Sequence, residues 1–155
     1  MRKEKLIRDI LLQNYESYYR LAFSYVHQEA DAMDIVQEGA YKAMLKADTL
    51  QKESFAETWV YRIMINEAKD YLRKNRKDYA ELMEIPSAKE DYRDLELKEA
   101  VDKLEEQEKV LIILRFYEDK QLSEIADILQ ENLSTVKSRL YRTLKKLRAE
   151  LETKG

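Results

Sequence analysis

The residues of this sequence best suited to binding chemistry are cations near its end. Positions 137 to 148 hold six basic residues and no acid, although the whole chain has a formal net charge of −3. These cations are Lys137, Arg139, Arg142, Lys145, Lys146 and Arg148. Lysine and arginine bind phosphate oxygens, and arginine also forms paired hydrogen bonds with guanine in the DNA major groove. The segment therefore predicts contact with an anionic partner.

The last three of these cations have a second explanation. A basic side chain near a helix C-terminus stabilises the helix dipole by about 0.3 to 1 kcal/mol, so Lys145, Lys146 and Arg148 can serve the helix alone. Lys137, Arg139 and Arg142 come early in the same helix, where the dipole disfavours cations. For these three residues an anionic partner is the better explanation.

Most kinds of catalytic site are excluded by composition. The chain has no cysteine, and His27 is its only histidine. Thiol–metal sites and Ser/His or Cys/His catalytic sets are therefore not available, and no glycine-rich phosphate loop exists. We expect no enzyme, no metal, no cofactor and no small-molecule substrate. The sequence has no cysteine and no signal-peptide core, and no apolar run in it approaches the roughly 20 residues that a membrane span requires. These features fit a cytoplasmic protein.

Two predicted helices position the cations. Apolar spacing predicts a helix over about 122–129 and a second over about 134–150, whose buried stripe is Val136, Leu140, Leu144, Leu147 and Leu151. Ser134 and Thr135 are suitable caps, and the positive helix N-terminus beside them can hold a phosphate. Two short helices joined by a tight turn predict a helix-turn-helix, with Arg139 and Arg142 within reach of base edges or phosphates in the major groove.

A second candidate nucleic-acid surface lies on the helix FAETWVYRIMINEAKDYLRKNRK, residues 55–77. A helical wheel places Val60, Tyr61, Met64, Ile65, Ala68 and Leu72 on a core side. The other side carries Phe55, Trp59, Arg62, Ile63, Asn66, Lys69, Asp70 and Arg73. Aromatic rings with interleaved cations suit single-stranded nucleic acid. Taken singly, Phe55 and Trp59 are better explained by packing against the first two helices; the face as a whole favours nucleic acid.

Composition predicts an all-α fold of two small helical domains. Two glycines, one proline and 38% charged residues leave few turns and suit long amphipathic helices. We expect a first helix over about 4–27 and a second helix that begins after an N-cap at Asp31. A third helix should begin at a capping box formed by Ser54 and Glu57 and run to about position 77. Periodicity weakens around Pro86. The predicted domains are therefore residues 1–78 and 95–155, joined by a linker at 79–94, with the helix-turn-helix in a C-terminal four-helix domain.

Three ordered motifs together resemble the extracytoplasmic-function (ECF) sigma factors of bacterial RNA polymerase. They are DAMDIVQEGAYKA at 31–43, FAETWVYRIMINEAKDYLRKNRK at 55–77, and LSEIADILQENLSTVKSRLYRTLKKLR at 122–148. The segments YRLAFSYV and DAMDIVQE are also similar to the SigV-type subgroup, Gram-positive factors that respond to cell-envelope attack. The resemblance implies a factor that binds core polymerase, recognises and melts promoters, and starts transcription of a stress regulon.

The resemblance also implies roles for individual residues. The first motif implies docking on the polymerase β′ clamp through Asp34, Ile35, Val36, Gln37 and Glu38. The resemblance implies that the loop 48–53 and the third helix bind the promoter −10 element and hold an extruded base of its non-template strand. The residues implied in this contact are Leu50, Trp59, Arg62, Asn66, Lys69 and Arg73. Duplex −35 recognition is implied for Ser134, Thr135, Lys137, Ser138, Arg139, Tyr141, Arg142 and Lys145, although Tyr141 also suits packing on the helix flank.

One departure from the family and several partners follow from the same resemblance. Many relatives have glycine and an aliphatic residue in the turn, where this chain has Gln130 and Glu131, which leaves the turn geometry open. The implied partners are core RNA polymerase, through its β′ clamp and β flap, promoter DNA, and an anti-sigma factor, which in this family is often membrane-anchored.

Two other functions compete with this one. A dimeric helix-turn-helix regulator would bind duplex operators without polymerase, and a helical adaptor would use its basic faces on acidic protein partners. The aromatic and cationic third helix favours the sigma factor over the regulator, because a protein that binds only duplex DNA has no use for a base-stacking face.

Overall fold

Eight α-helices account for most of the computed structural model, which describes residues 2–75 and 92–154; this part of the chain contains no strand. The chain divides into unit 1, Met1–Met83, and unit 2, Glu84–Gly155. The helices of unit 1 are α1 (Arg2–Gln13), α2 (Tyr15–Val26), α3 (Glu29–Leu45) and α4 (Ala56–Lys74). Those of unit 2 are α5 (Tyr92–Asp102), α6 (Glu106–Ile112), α7 (Leu122–Leu129) and α8 (Leu133–Lys154). The all-α prediction is confirmed.

The predicted linker falls mainly on residues that the structure does not describe. Positions 79–91 lie outside the described residues, and positions 92–94 already belong to α5. The predicted end of the third helix near Lys77 also lies outside them, and α4 itself ends at Lys74. Within the described ranges, no helix is long and apolar enough to cross a membrane.

The first predicted helix, 4–27, is two helices in the structure. Asn14 separates α1 from α2 with a φ of −110° and a ψ of 17°. Its side-chain amide donates to the Ile10 carbonyl oxygen at 3.1 Å, beside the backbone N–H of the same residue at 3.0 Å. Asparagine ends helices in this way because its amide competes for backbone partners.

Two predicted helix caps are wrong. Helix α3 begins at Glu29, with extended Gln28 as its N-cap, because His27 adopts a left-handed conformation (φ 55°) that ends α2 and leaves a turn of two residues. Asp31 therefore lies in the first turn of α3, where its carboxylate accepts a hydrogen bond from the Tyr71 hydroxyl at 2.8 Å. Helix α4 has Phe55 as its N-cap, without a side-chain capping bond, because a 3₁₀ turn, Glu53–Phe55, leads straight into the helix.

The core of unit 1 is built on two tyrosines. Tyr18 of α2 and Tyr61 of α4 are fully buried, and their rings meet edge to face with centroids 5.1 Å apart. Leu21, Ile35 and Val60 are buried with them, each contributing about 1.5 to 3 kcal/mol through burial. This packing fixes the direction in which α3 and α4 present their exposed faces.

The core of unit 2 holds α8 against α6 and α7. Val136, Leu140 and Leu147 of α8 are buried, together with Leu111, Leu114 and Ile125. The predicted stripe is wrong at Leu144, which is 37% exposed, because the buried position belongs to Thr143. The Thr143 hydroxyl is satisfied there, since it donates to the Arg139 carbonyl oxygen at 2.7 Å and lies 3.2 Å from a Glu108 carboxylate oxygen.

Candidate nucleic-acid interface

The turn between α7 and α8 keeps the geometry of a helix-turn-helix although it lacks glycine. Gln130 adopts the left-handed conformation, with a φ of 56° and a ψ of 46°. The N–H of Glu131 donates to the Ala126 carbonyl at 3.0 Å, and that of Gln130 to the Asp127 carbonyl at 3.3 Å. These two bonds form a Schellman motif, in which the left-handed position usually carries glycine. Gln130 therefore closes the turn at the cost of backbone strain.

Replacing Gln130 with glycine is expected to stabilise unit 2 by about 1 kcal/mol, because a left-handed residue with a Cβ is strained by roughly 1 to 2 kcal/mol and glycine is not. Chemical denaturation monitored by circular dichroism measures the change. Gln107→Gly is the matched control. Gln107 lies in α6 with ordinary helical geometry, so glycine should destabilise there by roughly 0.5 to 1 kcal/mol. Destabilisation by both variants would contradict strain at Gln130.

The six cations at positions 137–148 of α8 divide into two sets. Three of them are engaged within the chain: Arg139 with Glu131 at 2.6 Å, Lys146 with Glu108 at 3.0 Å, and Arg148 with Glu152 at 3.1 Å. The other three, Lys137, Arg142 and Lys145, are exposed, and no ion pair to them occurs among the described residues.

An exposed surface therefore runs along one side of α8, and we call it the recognition face. Tyr141 is 73% exposed, so it does not pack on the helix flank. Arg139 does not belong to this face, because only 14% of its side chain is exposed and its guanidinium meets Glu131. The recognition face comprises Ser134, Thr135, Lys137, Ser138, Tyr141, Arg142 and Lys145, all of which are exposed.

The α4 surface is more mixed than its wheel predicts. Asn66, Lys69 and Arg73 are exposed, and Arg73 pairs with Asp70 at 2.9 Å. Phe55, Trp59, Arg62 and Ile63 are half-buried. The Arg62 guanidinium lies over the Phe55 ring, 4.8 Å from its centroid. The face thus offers an amide and two cations, beside a cation–aromatic pair at its N-terminal end.

The loop before α4 is held at both ends by α1. Arg2 pairs with the Glu53 carboxylate through two guanidinium nitrogens, at 3.0 and 3.3 Å, and Lys3 Nζ lies 3.5 Å from the Asp48 carbonyl oxygen. Leu50, in this loop, is buried with 2% of its surface exposed. Its buried side chain packs the loop onto unit 1 and is not exposed as a binding surface. Nothing in the residue pattern predicted the contacts that Arg2 and Lys3 make with this loop.

Helix α3 presents a separate exposed face. Asp34, Gln37 and Glu38 are exposed as expected, whereas Ile35 and Val36 are 1% and 2% exposed and belong to the core. The prediction that all five residues meet a partner is therefore wrong for those two, because neighbouring residues on a helix point in different directions. Two further residues on this exposed face were not predicted. Tyr41 and Leu45 are 63% and 68% exposed, and they follow Gln37 at steps of four.

Three contacts tie α3 to α4. Lys42 pairs with Glu67 at 2.6 Å, and this hydrogen bond raises the pKa of Lys42. The Tyr71–Asp31 hydrogen bond lies at the other end of α3. Between them Gly39 lies so close to Met64 that a Cβ at Gly39 would stand 2.5 Å from the Met64 sulfur. The exposed face of α3 and the cationic face of α4 are therefore held in a fixed relation inside unit 1.

Known families match both units. Residues 10–78 match Sigma-70 region 2, and residues 94–147 match Sigma-70, region 4. SigV, an RNA polymerase sigma factor of Bacillus subtilis strain 168, is 42% identical over 97% of this chain and 96% of its own length. SigW, an ECF sigma factor of the same strain, is 28% identical over 88% of this chain and 83% of its own.

This chain belongs to the ECF sigma factors of bacterial RNA polymerase. Its fold agrees with solved structures: the sigma factor RpoE of Bartonella quintana, in complex with the anti-sigma factor NepR, has a TM-score of 0.75 at 24% identity, covering 94% of this chain and 96% of that one. CnrH, in complex with the cytosolic domain of CnrY, has a TM-score of 0.74 at 21% identity, covering 96% and 89%.

Membership of the family decides between the competing functions. ECF sigma factors are initiation factors that direct RNA polymerase to promoters, and they are not enzymes. A dimeric operator-binding regulator would account for a region 4 helix-turn-helix but not for a region 2 domain over residues 10–78. A general adaptor would account for neither match.

Proposed function

We propose that this ECF sigma factor divides promoter recognition and polymerase docking among three surfaces. The recognition face of α8 binds the −35 element as duplex. The α4 face and the loop 48–53 hold the non-template strand of the −10 element. The exposed face of α3 docks on the polymerase β′ clamp. The observation that carries the proposal is the division of the six α8 cations at positions 137–148, because three remain exposed on one side while three are engaged within the chain.

For the −35 element, the argument rests on spacing along one helix. Lys137, Arg142 and Lys145 are exposed over two turns or so of α8, a length that fits within the DNA major groove. Ser134 and Thr135 lie at the N-terminus of α8, where free backbone N–H groups favour a phosphate. Arg142 is the residue best placed for a base edge, with Lys137 and Lys145 on phosphates.

For the −10 element, the argument rests on a mixture of side chains suited to unpaired bases. Asn66 can hydrogen-bond a base edge, while Lys69 and Arg73 follow the backbone of a single strand. Arg62 and Phe55 form a preassembled stacking surface at 4.8 Å. Trp59 is half-buried, so it supports this surface and exposes only part of its ring. Leu50 contributes by holding the loop.

The proposed partners and setting follow from the relatives. RpoE of Bartonella quintana is bound by an anti-sigma factor and CnrH by the cytosolic domain of CnrY. We propose that an anti-sigma factor, membrane-anchored as is common in the family, holds this protein inactive until an envelope stress is sensed. The protein then acts in the cytoplasm on core polymerase, with unit 2 near the β flap.

Reconstitution with purified core polymerase of Bacillus subtilis tests the proposal. The full chain should co-migrate with core polymerase in size-exclusion chromatography and should produce transcripts from defined start sites on genomic fragments that core polymerase alone does not produce. Binding to duplex DNA without any effect on polymerase would instead support an operator-binding regulator.

Replacing Arg142 with alanine is expected to weaken −35 recognition by about 1 to 3 kcal/mol, because a bidentate contact to one base is lost. Competition footprinting of the polymerase complex on one selected promoter measures the change. Arg148→Ala is the matched control, since Arg148 lies further along α8 and pairs with Glu152; it should leave the footprint unchanged. A wild-type footprint for Arg142→Ala would remove Arg142 from the recognition face.

A further inference from the structure

The residue after the left-handed position of the turn is unusual in kind. In a Schellman motif the residue at this place commonly makes an apolar contact back onto the preceding helix. Here the place belongs to Glu131, whose backbone N–H completes the motif through the Ala126 carbonyl. A carboxylate cannot make that apolar contact, so its side chain needs another partner.

That partner is Arg139, two turns into α8. Glu131 Oε2 lies 2.6 Å from Arg139 NH1, and the side chains are 29% and 14% exposed. A charge-assisted hydrogen bond of this length is strong, and partial burial reduces its screening by salt. The Arg139 carbonyl oxygen also accepts the Thr143 hydroxyl. Arg139 is therefore fixed on the side of α8 that faces the turn.

We propose that Glu131 withdraws Arg139 from DNA and makes it a positioning residue, which fixes α8 against the turn while the promoter is read without it. This inference rests on the proposed −35 role of α8. It assigns Glu131 a function that the DNA contacts alone do not suggest: it lowers the number of cations offered to phosphate and so limits sequence-independent affinity.

Two physical points favour this role over an exchange in which Arg139 leaves Glu131 for DNA. An exchange would leave the partly buried carboxylate of Glu131 without its ion-pair partner, which is unfavourable. It would place that negative charge close to the DNA phosphates, which repel it. It would also release the side-chain link across the turn that orients the recognition face. Lys137, by contrast, can meet a phosphate without giving up any ion pair among the described residues.

The salt dependence of DNA binding tests the inference, because each neutralised phosphate contributes a slope of about −0.9 to log K against log salt concentration. The full chain is titrated with a labelled duplex of mixed sequence over a series of KCl concentrations. Arg139→Gln should leave the slope unchanged. Glu131→Gln should steepen it by about 0.9, since the freed arginine reaches a phosphate, and Glu131→Gln with Arg139→Gln should restore the wild-type slope.

Lys137→Gln is the matched control on the same helix, and it should make the slope shallower by about 0.9. If Arg139→Gln makes the slope shallower to the same extent, Arg139 already contacts DNA and the inference is overturned while the −35 role stands. An unchanged slope for Lys137→Gln would overturn the recognition face itself. Should Arg139→Gln fail to fold, Glu131→Gln decides alone, because a slope that does not steepen overturns the inference.

The melting temperatures of the variants test whether Arg139 and Glu131 act as a pair that holds α8 against the turn, beyond the effect of losing one charge. Arg139→Gln and Glu131→Gln should each lower the melting temperature of unit 2, and the double variant should melt close to either single variant because both remove the same link. Additive losses would show that the two residues do not act as a pair and would count against the inference.

Discussion

Replacing Glu108 with alanine is expected to destabilise unit 2 by about 2 to 4 kcal/mol, because a buried and hydrogen-bonded carboxylate is lost. Glu108 is 7% exposed. Its carboxylate accepts from Lys146 Nζ at 3.0 Å and from the Thr143 hydroxyl at 3.2 Å, and it caps α6 through the Glu105 N–H at 3.3 Å. One side chain thus joins the start of α6 to the middle of α8.

Each of these bonds contributes to the expected loss. The capping box is worth about 1 kcal/mol, and hydrogen bonds to a charged group contribute about 1.5 to 3 kcal/mol. Lys146 contributes least, because 56% of its side chain is exposed and water screens its charge. Thr143 keeps an acceptor in the Arg139 carbonyl, so the alanine variant leaves no buried hydroxyl unsatisfied.

Denaturant unfolding against pH measures the effect and checks its cause. Burial alone would raise the pKa of Glu108, but the hydrogen bonds from Lys146, the Glu105 N–H and Thr143 outweigh it and lower the pKa. The stabilisation is therefore complete above the unfolded-state pKa of about 4.3 and is lost as the pH falls through the lower pKa of the folded state. The difference between wild type and Glu108→Ala should shrink over that acid range.

Glu106→Ala is the matched control, since Glu106 is exposed in the first turn of the same helix. We expect it to cost no more than about 1 kcal/mol, through the helix dipole alone. Equal losses for the two variants, or a Glu108 effect that does not change with pH, would contradict the proposed link between α6 and α8.

The sequence was sufficient to place most of the helices, but not for every helix end or for the direction of each side chain. Apolar periodicity placed α7 at its observed bounds, because steps of three and four residues define a helix wherever a core is buried. The same periodicity predicted that Leu144 is buried, whereas its neighbour Thr143 is the buried residue. Hydrophobicity favours leucine in a core, but the hydroxyl of Thr143 has two acceptors there. One is the Arg139 carbonyl, one turn earlier in α8, and the other is the Glu108 carboxylate, which comes from another part of the chain.

Contacts between side chains also explain why the exposed residues of the candidate site differ from the predicted ones. Arg139 has the type and spacing of a DNA-binding residue, and only the three-dimensional position of Glu131 shows that its charge is already paired. Ile35 and Val36 were predicted to dock on polymerase because they belong to the contiguous motif at 34–38, although a helix exposes only some residues of such a run. Apolar periodicity does not show that Tyr41 and Leu45 are exposed, because only the packing of α3 on α2 and α4 leaves them outside the core.

Reversing two charges on α3, Asp34→Lys with Glu38→Lys, is expected to abolish assembly with core polymerase, at a cost of about 3 kcal/mol or more. Both acids are exposed beside Tyr41 and Leu45. An apolar patch with acids at its edge fits a partner surface that is apolar and basic, and placing lysine against such a surface turns attraction into repulsion. A change of this size lowers the affinity roughly 100-fold or more.

Co-migration with core polymerase and promoter-dependent transcription measure this loss, and circular dichroism checks that unit 1 stays folded. The control reverses two exposed acids elsewhere, Glu4→Lys with Glu16→Lys on α1 and α2, and so makes the same change in net charge. Because only the α3 variant alters the docking face, the control should assemble normally. Equal losses in both variants would mean that net charge, and not α3, governs assembly; no loss in either would remove α3 from the polymerase interface.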